Sequence, residues 1–289
     1  MEFTGERMME EINDGGMYAE HMVRYQFASQ FVKNKSILDL ACGSGYGSVF
    51  LKKMGATHVK GIDSSVETVS YCNAKYNDVG VDFVVGNVNN ITSDDNSVEV
   101  IVSMETLEHV DSETQHKFLG EVSRVLKDDG VFIVSTPNIA VTPGNNPFHL
   151  KELTYLEFSE LLNKYFSNVK IFFQDNVEAS FITSDDFLKK DVENVCTDFN
   201  VINSGKLASE NCLYFIAVCG KKDVLFDEKY VVLSDSRPWK KEIECINEAL
   251  NNNDVNLQLL QSLNKIKSME NSVFWKLRSK YIKVKGFFK

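Results

Sequence analysis

The chain has 289 residues, of which 43% are hydrophobic and 25% are charged, as is typical of a soluble globular protein. Its formal net charge of −10 argues against a nucleic-acid partner, because proteins that grip phosphate backbones are usually basic. The sequence shows neither an apolar run long enough to span a membrane nor an apolar N-terminal signal region, and its six scattered cysteines form no CxxC pair, so we expect a cytoplasmic protein with reduced thiols.

Predicted strands and helices alternate along most of the chain. Helical patterns are expected at residues 18–35, directly after residue 47, and at 65–76, 111–126 and 154–166. Strands are expected at residues 36–40, 58–63, 81–85, 98–104, 131–135, 169–173 and 213–219, with a turn at 128–130. This order predicts an α/β fold: a Rossmann-like, mostly parallel sheet of seven strands with helices on both faces and an antiparallel finish.

We expect residues 1–220 to form one domain. Residues 1–35 are either a lid over the ligand crevice or a helix on the sheet's flank, and residues 176–210 are an insertion that either covers the crevice or runs over the surface. A linker over 221–237 leads to a C-terminal helical extension at 238–289. The extension carries an approximate heptad seam, which either forms a homodimer or packs back on the domain.

The last fifteen residues, 275–289, are basic and aromatic. They contain six Lys or Arg residues and no acid, and four aromatic side chains are interleaved with them. Three interpretations stay open: binding to an anionic membrane surface, binding to a partner protein, or a solvated end. The first would place the protein at the periphery of the inner face of the membrane.

The most distinctive segment is residues 36–47, an apolar strand that leads into Gly43, Gly45 and Gly47. Alternating glycines let the backbone approach a ligand closely. The spacing GxGxG differs from the GxGxxG that seats a pyrophosphate. Asp39, four positions before the first glycine, suits a ligand with an ammonium group. The pattern therefore favours S-adenosylmethionine as cofactor and disfavours an NAD-dependent reductase.

Further cofactor contacts are expected where the next strands end. Asp63 suits the ribose hydroxyls, Asn87 suits the adenine, and Met104 lies beside the transferred methyl group. Singly, each polar residue has a simpler interpretation: Asp39 caps the turn, Asp63 caps a helix, and Asn87 forms a turn. Their order and spacing together favour the ligand. The complete predicted cofactor set is Asp39, Ala41, Gly43, Gly45, Asp63, Ser64, Asn87, Val88, Met104, Arg24 and Tyr18.

Four segments together resemble class I S-adenosylmethionine-dependent methyltransferases. They are DLACGSGYG at 39–47, GID at 61–63, SMETLEHV at 103–110 and RVLKDDG at 124–130. The resemblance covers roughly residues 36–140 and departs from the family at Asn87, where many members carry Asp. It implies a Rossmann-like fold and S-adenosylmethionine as the methyl donor.

A narrower resemblance points to an acceptor. The segments FTGERM at 3–8, HMVRY at 21–25, STPN at 135–138 and NPFHLKEL at 146–153 look like a bacterial subgroup often associated with cell-surface polysaccharide synthesis. This resemblance implies O-methylation of a sugar or sugar-phosphate in O-antigen or capsule biosynthesis. The alternatives are a methyltransferase for a small molecule such as a lipid or quinone precursor, and a non-catalytic cofactor-binding scaffold in an assembly.

A sugar hydroxyl needs help in losing its proton, and three residues are candidates for this catalytic role: His149, His109 and Glu105. His109 alternatively packs behind the adenine. A phosphate acceptor needs no base, and Arg7, Arg24 or Lys151 would then pair with its charge. Glu105, Glu108, His109 and His149 together offer oxygen and nitrogen ligands, but their spacing is not diagnostic, so we expect no metal.

Overall fold

The structure, a computed structural model, describes residues 15–141, 146–176 and 211–226. The sequence predictions for residues 1–14, for the insertion beyond Asn176 and for the helical extension with its basic tail lie outside these residues. Five α-helices are described: α1 Gly15–Ala28, α2 Tyr46–Lys53, α3 Val66–Lys75, α4 Ser112–Val125 and α5 Tyr155–Asn163. The strands are β1 Ser36–Leu40, β2 His58–Asp63, β3 Val81–Val85, β4 Val98–Ser103, β5 Leu126–Pro137, β6 Asn168–Gln174 and β7 Tyr214–Gly220. Short 3-10 helices follow at Ser29–Phe31 and Leu107–His109.

The seven strands form one sheet in the order β3-β2-β1-β4-β5-β7-β6. Strands β1 to β5 pair in parallel, whereas β7 runs antiparallel to both β5 and β6. The predicted α/β fold and its antiparallel finish are therefore confirmed. Parallel pairs need crossover helices, and these helices cover the faces of the sheet.

Buried side chains form one apolar cluster on each face of the sheet. Along β4, Ile101 belongs to the cluster with Phe118 of α4, while Val100 and Val102 belong to the opposite cluster with Tyr25 of α1. This alternation follows from the two-residue period of a strand. Burying each of these side chains stabilises the fold by roughly 1.5–3 kcal/mol.

The predicted turn at residues 128–130 is wrong, because these residues lie within the long strand β5. The register between β4 and β5 shifts from Val98 opposite Leu126 to Val100 opposite Val131, so the extra residues bulge out of the ladder. Asp128 is exposed in this bulge. A bulge absorbs a turn-like sequence without ending the strand.

Helix α1 packs on the start of α2. A Cβ atom at Gly47 would lie 2.0 Å from Cζ of Tyr25, so only glycine allows this close approach.

The ring of Phe226, within the predicted linker, packs on Phe31 and Phe172 at centroid distances of 5.1 and 5.6 Å. Over residues 15–141, 146–176 and 211–226, no helix is long and apolar enough to cross a membrane.

Candidate functional site

Three segments that follow parallel strands lie at the carboxyl edge of the sheet. The strand order reverses at β1, which has β2 on one side and β4 on the other. Open α/β sheets bind ligands outside the carboxyl ends of strands at such a point. Here the segments are residues 41–45 after β1, which we call the glycine turn, Asp63 at the end of β2, and Met104 with Glu105 after β4.

The glycine turn has an unusual backbone. Ala41, Gly43 and Gly45 all have positive φ angles, of 57°, 54° and 82°. The Cys42 N–H donates to the Ile62 carbonyl at 2.9 Å, which ties the turn to β2. A Cβ atom built on Gly43 would meet no atom within 4 Å. The backbone at Gly43 therefore leaves open space that a ligand can approach.

Asp39 is completely buried between β1, α1 and α2. The Ser48 hydroxyl donates to its Oδ2 atom at 2.6 Å, and the Tyr25 hydroxyl donates to Oδ1 at 3.4 Å. Burial raises the pKa of Asp39 to about 7, because desolvation penalises the charged carboxylate more than these hydrogen bonds favour it. Asp39 thus fastens both helices to the strand that carries the glycine turn.

Asp63 links the ends of two strands. Its Oδ2 atom accepts the Gly43 N–H at 3.1 Å, and its Oδ1 atom accepts the Ser65 N–H at 2.9 Å. The interpretation of Asp63 as a helix N-cap is wrong, because Ser65 caps α3 by accepting the Thr68 N–H. The carboxylate therefore holds the glycine turn at the place where the sequence predicts the ribose.

The residues predicted around the adenine are more exposed. Asn87 and Ser64 are exposed and Val88 is half-buried. The Asn87 Oδ1 atom accepts the Asn89 N–H at 3.1 Å, so Asn87 has the turn geometry that the simpler interpretation predicts. This hydrogen bond leaves the Asn87 side-chain nitrogen out, so that nitrogen can still donate to the adenine of the cofactor.

Arg24 of α1 is the most unusual group at this edge, because its guanidinium is completely buried. Nη1 donates to Gln174 Oε1 at 3.0 Å, Nε lies 3.9 Å from Glu105 Oε1, and the guanidinium carbon lies 4.4 Å from the centre of the Tyr214 ring. Nε and Nη2 make no hydrogen bond to any residue that the structure describes. Buried donors are normally paired, so these two atoms fit an anionic group such as a carboxylate.

The charge on Arg24 is maintained by its neighbours. Burial alone would lower its pKa, but the nearby groups of Glu105, Tyr214 and Glu20 outweigh this effect and raise it. Tyr18, also on α1, packs against Tyr46 with ring centroids 5.5 Å apart. Helix α1 therefore supplies both a cation and aromatic cover at the carboxyl edge.

Glu105 adopts a strained backbone directly after the buried Met104. Its φ angle is 54°, a conformation that costs on the order of 1–3 kcal/mol in a residue with a bulky side chain. Two hydrogen bonds to Ser135 of β5 offset this cost. The Ser135 hydroxyl accepts the Glu105 N–H at 3.0 Å and donates to Glu105 Oε1 at 2.6 Å. In this conformation the Glu105 carboxylate lies 3.9 Å from Arg24 Nε.

The two predicted catalytic histidines lie side by side, with ring centroids 5.0 Å apart. His109 Nδ1 lies 3.0 Å from the Phe148 carbonyl, which requires a hydrogen on Nδ1. His149 Nδ1 bonds to the Glu152 carboxylate, and His149 Nε2 lies 2.8 Å from Asn146 Nδ2. With these contacts, only 16% of the His149 side chain is exposed.

Two buried acids lie near these rings: Glu108, which the sequence suggested only as a possible metal ligand, and Glu152, which was not predicted. Glu152 is 6% exposed, and its spacing of three residues from His149 is the only signal in the sequence for their contact. Glu108 is 1% exposed; its Oε1 atom lies 3.8 Å from His109 Nε2, and its Oε2 atom accepts the Thr136 hydroxyl at 3.3 Å. Burial, reinforced by the charge of Glu105, raises the pKa of Glu108 well above its usual range.

Comparison with known proteins supports the prediction that S-adenosylmethionine is the methyl donor. Residues 38–134, from β1 to β5, match the family described as a methyltransferase domain. A Mycolicibacterium smegmatis protein described as a probable S-adenosylmethionine-dependent methyltransferase is 36% identical over 165 residues, which are 55% of this chain and 62% of that protein. The chain thus spans less than two thirds of that relative's length.

Two further comparisons are more distant. The ubiquinone biosynthesis O-methyltransferase of Pelagibacter ubique is 33% identical over 109 residues, 37% of this chain and 44% of that enzyme. A solved structure from Pyrococcus horikoshii superposes with a TM-score of 0.55 at 18% identity, covering 73% of this chain and 93% of the other. The structural likeness shows a shared fold.

Proposed function

We propose that this chain, whose residues 38–134 match the family described as a methyltransferase domain, transfers a methyl group from S-adenosylmethionine to an oxygen atom of an acceptor. The acceptor binds beside Glu105, His109 and His149. The observation that carries the proposal is the open backbone at Gly43 on the same sheet edge as the buried, incompletely paired guanidinium of Arg24. Together they offer close backbone approach and a cation for an amino-acid-like ligand.

When bound, S-adenosylmethionine supplies a methyl group already attached to a good leaving group, the sulfonium sulfur. We assign its carboxylate to Arg24, its amino-acid portion to the glycine turn and its ribose to Asp63. Met104 borders the position of the methyl group. The chain's own residues would then contribute to the rate mainly by holding the two reactants in line.

The acceptor oxygen must lose a proton when it is methylated. Glu105, His109 and His149 follow β4 and β5, so they lie at the edge where the methyl group is expected. As side chains without a bound metal ion, each can accept or redirect a proton. We therefore propose that these three groups, and not the glycine turn, select and activate the acceptor.

Two acceptor classes remain candidates. The resemblance of segments such as NPFHLKEL at 146–153 supports a sugar or sugar-phosphate of a surface polysaccharide. A second class, lipid or quinone-precursor hydroxyls, is favoured by the apolar side chains that flank His149: Phe148 is 36% exposed and Leu150 66% exposed. A large exposed apolar side chain beside a polar site suits an acceptor with an apolar body.

Calorimetry with S-adenosylmethionine and with NAD tests the donor. We expect binding of the first and none of the second; the reverse result would contradict the proposal. Labelled S-adenosylmethionine is then offered with sugar nucleotides, glycans, quinone-precursor phenols and fatty acids. A label that survives mild alkali indicates a methyl ether, whereas a label that alkali releases indicates a methyl ester. The Arg24→Met variant serves as the matched low-affinity control.

We also propose that the basic segment 275–289 binds an anionic membrane surface, at about 1 kcal/mol for each Lys or Arg near the surface. Its six cations and no acids support this. The full chain should sediment with phosphatidylserine vesicles and remain in solution with neutral vesicles. Equal sedimentation after deletion of residues 275–289 would overturn the proposal.

A further inference from the structure

We propose that Glu108, His109 and His149 bind a divalent transition-metal ion, such as Zn²⁺ or Mn²⁺, on the acceptor side of the crevice. The sequence alone led us to expect no metal. Ion binding itself is independent of the proposed function, and only the ion's role in methyl transfer rests on it.

The ligand set is suited to such an ion. One atom from each of the three residues lies within 4.8 Å of the other two. Two imidazoles and one carboxylate are a common three-ligand set for catalytic zinc and for other first-row metals. Three protein ligands leave coordination positions for water or for an acceptor oxygen.

The two ligand-bearing segments are fastened together by the backbone. The Glu108 carbonyl accepts the N–H groups of Leu150 and Lys151, at 2.7 and 3.1 Å. His109 Nδ1 adds a third bond between the segments, to the Phe148 carbonyl at 3.0 Å. The segment after β4 is thus held against the loop after β5 before any ion arrives, which lowers the cost of assembling a site from residues far apart in the chain.

Both rings also have the outer contacts that metal-binding histidines need. A ligating imidazole usually donates its other N–H to a carboxylate or a backbone carbonyl, which fixes the tautomer. His149 Nδ1 bonds to the Glu152 carboxylate, and His109 Nδ1 bonds to the Phe148 carbonyl. In both rings Nε2 is therefore the ligating atom.

Two adjustments are required on binding. The exposed Asn146 side chain, whose Nδ2 lies 2.8 Å from His149 Nε2, must turn away so that the ion takes its position. The ligand atoms must also draw closer than 4.8 Å, because metal–ligand bonds are about 2.0–2.2 Å long. Both changes involve side-chain rotations and leave the backbone bonds between the segments intact.

The burial of Glu108 also favours a metal ion at this position. This carboxyl group is 1% exposed, and buried carboxylates in proteins are generally paired with a cation or coordinate a metal. An ion here would lie near Glu105, where we place the acceptor. It would lower the pKa of the acceptor hydroxyl, whose proton leaves to water while the oxygen forms its bond to the methyl carbon and the sulfur keeps the electron pair of the broken bond.

The test uses the full chain after treatment with a chelator and its removal. Titration with Co²⁺ is followed by visible absorption, and Zn²⁺ competition is followed by calorimetry. We expect one ion per chain and loss of the absorption band in His109→Ala and His149→Ala. Glu152→Gln should weaken binding about 10- to 100-fold, because it removes the outer contact of His149.

Two controls keep the test decisive. His58→Ala removes an exposed histidine that also pairs with an acid, Asp82 at 3.6 Å, and should bind Co²⁺ like the parent chain. Glu108→Gln is nearly isosteric, so weaker binding with an unchanged thermal midpoint would reflect lost coordination. No Co²⁺ binding by the parent, or equal loss in His58→Ala and His149→Ala, would overturn the site. Binding of S-adenosylmethionine to the chelator-treated chain tests the proposed function separately.

Discussion

The guanidinium of Arg24 lies 3.9 Å from the carboxylate of Glu105, measured from Nε to Oε1, and Arg24 is completely buried. This ion pair joins α1, which precedes the sheet, to the strained residue that follows β4. A buried arginine with two N–H donors that make no hydrogen bond to a described residue is costly unless another group accepts those bonds. A ligand carboxylate would do so, and the N-terminal helix would then become part of the binding site.

We expect Arg24→Lys to raise the dissociation constant for S-adenosylmethionine about 10- to 100-fold. Lysine keeps the charge but loses the planar fork of donors, and a charged hydrogen bond contributes about 1.5–3 kcal/mol. Calorimetry measures the change. Arg124→Lys is the matched control, because Arg124 pairs with Glu121 and Asp95 at the protein surface. Equal affinities of the two variants would contradict the assignment.

Gly43→Ala should mainly weaken cofactor binding, whereas Gly47→Ala should mainly destabilise the fold. A Cβ at Gly43 meets no atom within 4 Å, so this variant should lose only about 1–2 kcal/mol of stability from its positive φ, yet obstruct the cofactor and weaken its binding at least tenfold. A Cβ at Gly47 would lie 2.0 Å from Tyr25, so that variant should lose about 1–3 kcal/mol or more as α1 is displaced. Urea denaturation and calorimetry on both variants separate the two roles. The assignment fails if Gly43→Ala binds S-adenosylmethionine normally.

Much of the fold followed from local sequence patterns. The strands β1 to β4 have apolar runs with clear ends, and the glycine spacing marked the turn after β1. The bulge in β5 was missed because Asp128 and Gly130 look like a turn locally, whereas the pairing of Val131 with Val100 that keeps the strand continuous is a long-range contact. The local β-propensity of a segment carries no information about which distant strand it pairs with.

The candidate site was also predictable only where its residues follow local sequence patterns. Gly43 and Asp63 were identified from spacing alone. The contacts of Asp39 with Tyr25 and Ser48 depend on how two helices pack on the sheet. The contact between the His109 and His149 rings depends on backbone bonds between segments about 40 residues apart, which leave no pattern in the sequence.

Thr154→Ala should destabilise the protein by about 1 kcal/mol. Thr154 caps α5 in a reciprocal capping box, accepting the Glu157 N–H while the Glu157 carboxylate accepts the Thr154 N–H. The same contacts, led by that backbone N–H and helped by Lys151, lower the pKa of Glu157 to about 2. Since the folded pKa is depressed, this stabilisation is present above pH 4.5 and is lost as the pH falls toward 2. Urea denaturation at pH 7 measures the loss, and Thr154→Ser should restore most of it.

Asp39→Asn should change how stability depends on pH. Burial raises the pKa of Asp39 to about 7 in the folded protein, against 3.8 for the exposed carboxyl group. Between these two values the folded state holds a proton that the unfolded state has released, so the stability contributed by Asp39 falls as the pH rises and is lost above about pH 7. The full effect is at most about 4 kcal/mol. The asparagine variant has no such charge, so it should gain stability relative to the parent chain as the pH rises from 5 to 8.

Urea denaturation of both proteins at several pH values between 5 and 8 measures this gain. Asp111→Asn is the matched control. Asp111 is an exposed N-cap of α4 whose pKa is lowered mainly by the Thr114 N–H, so it is ionised in both states throughout this range. Its effect on stability should therefore be independent of pH from 5 to 8. If the curves for Asp39→Asn and the parent chain run parallel over this range, Asp39 is ionised in the folded protein, and a cation or a water-filled path must compensate its burial between α1 and α2.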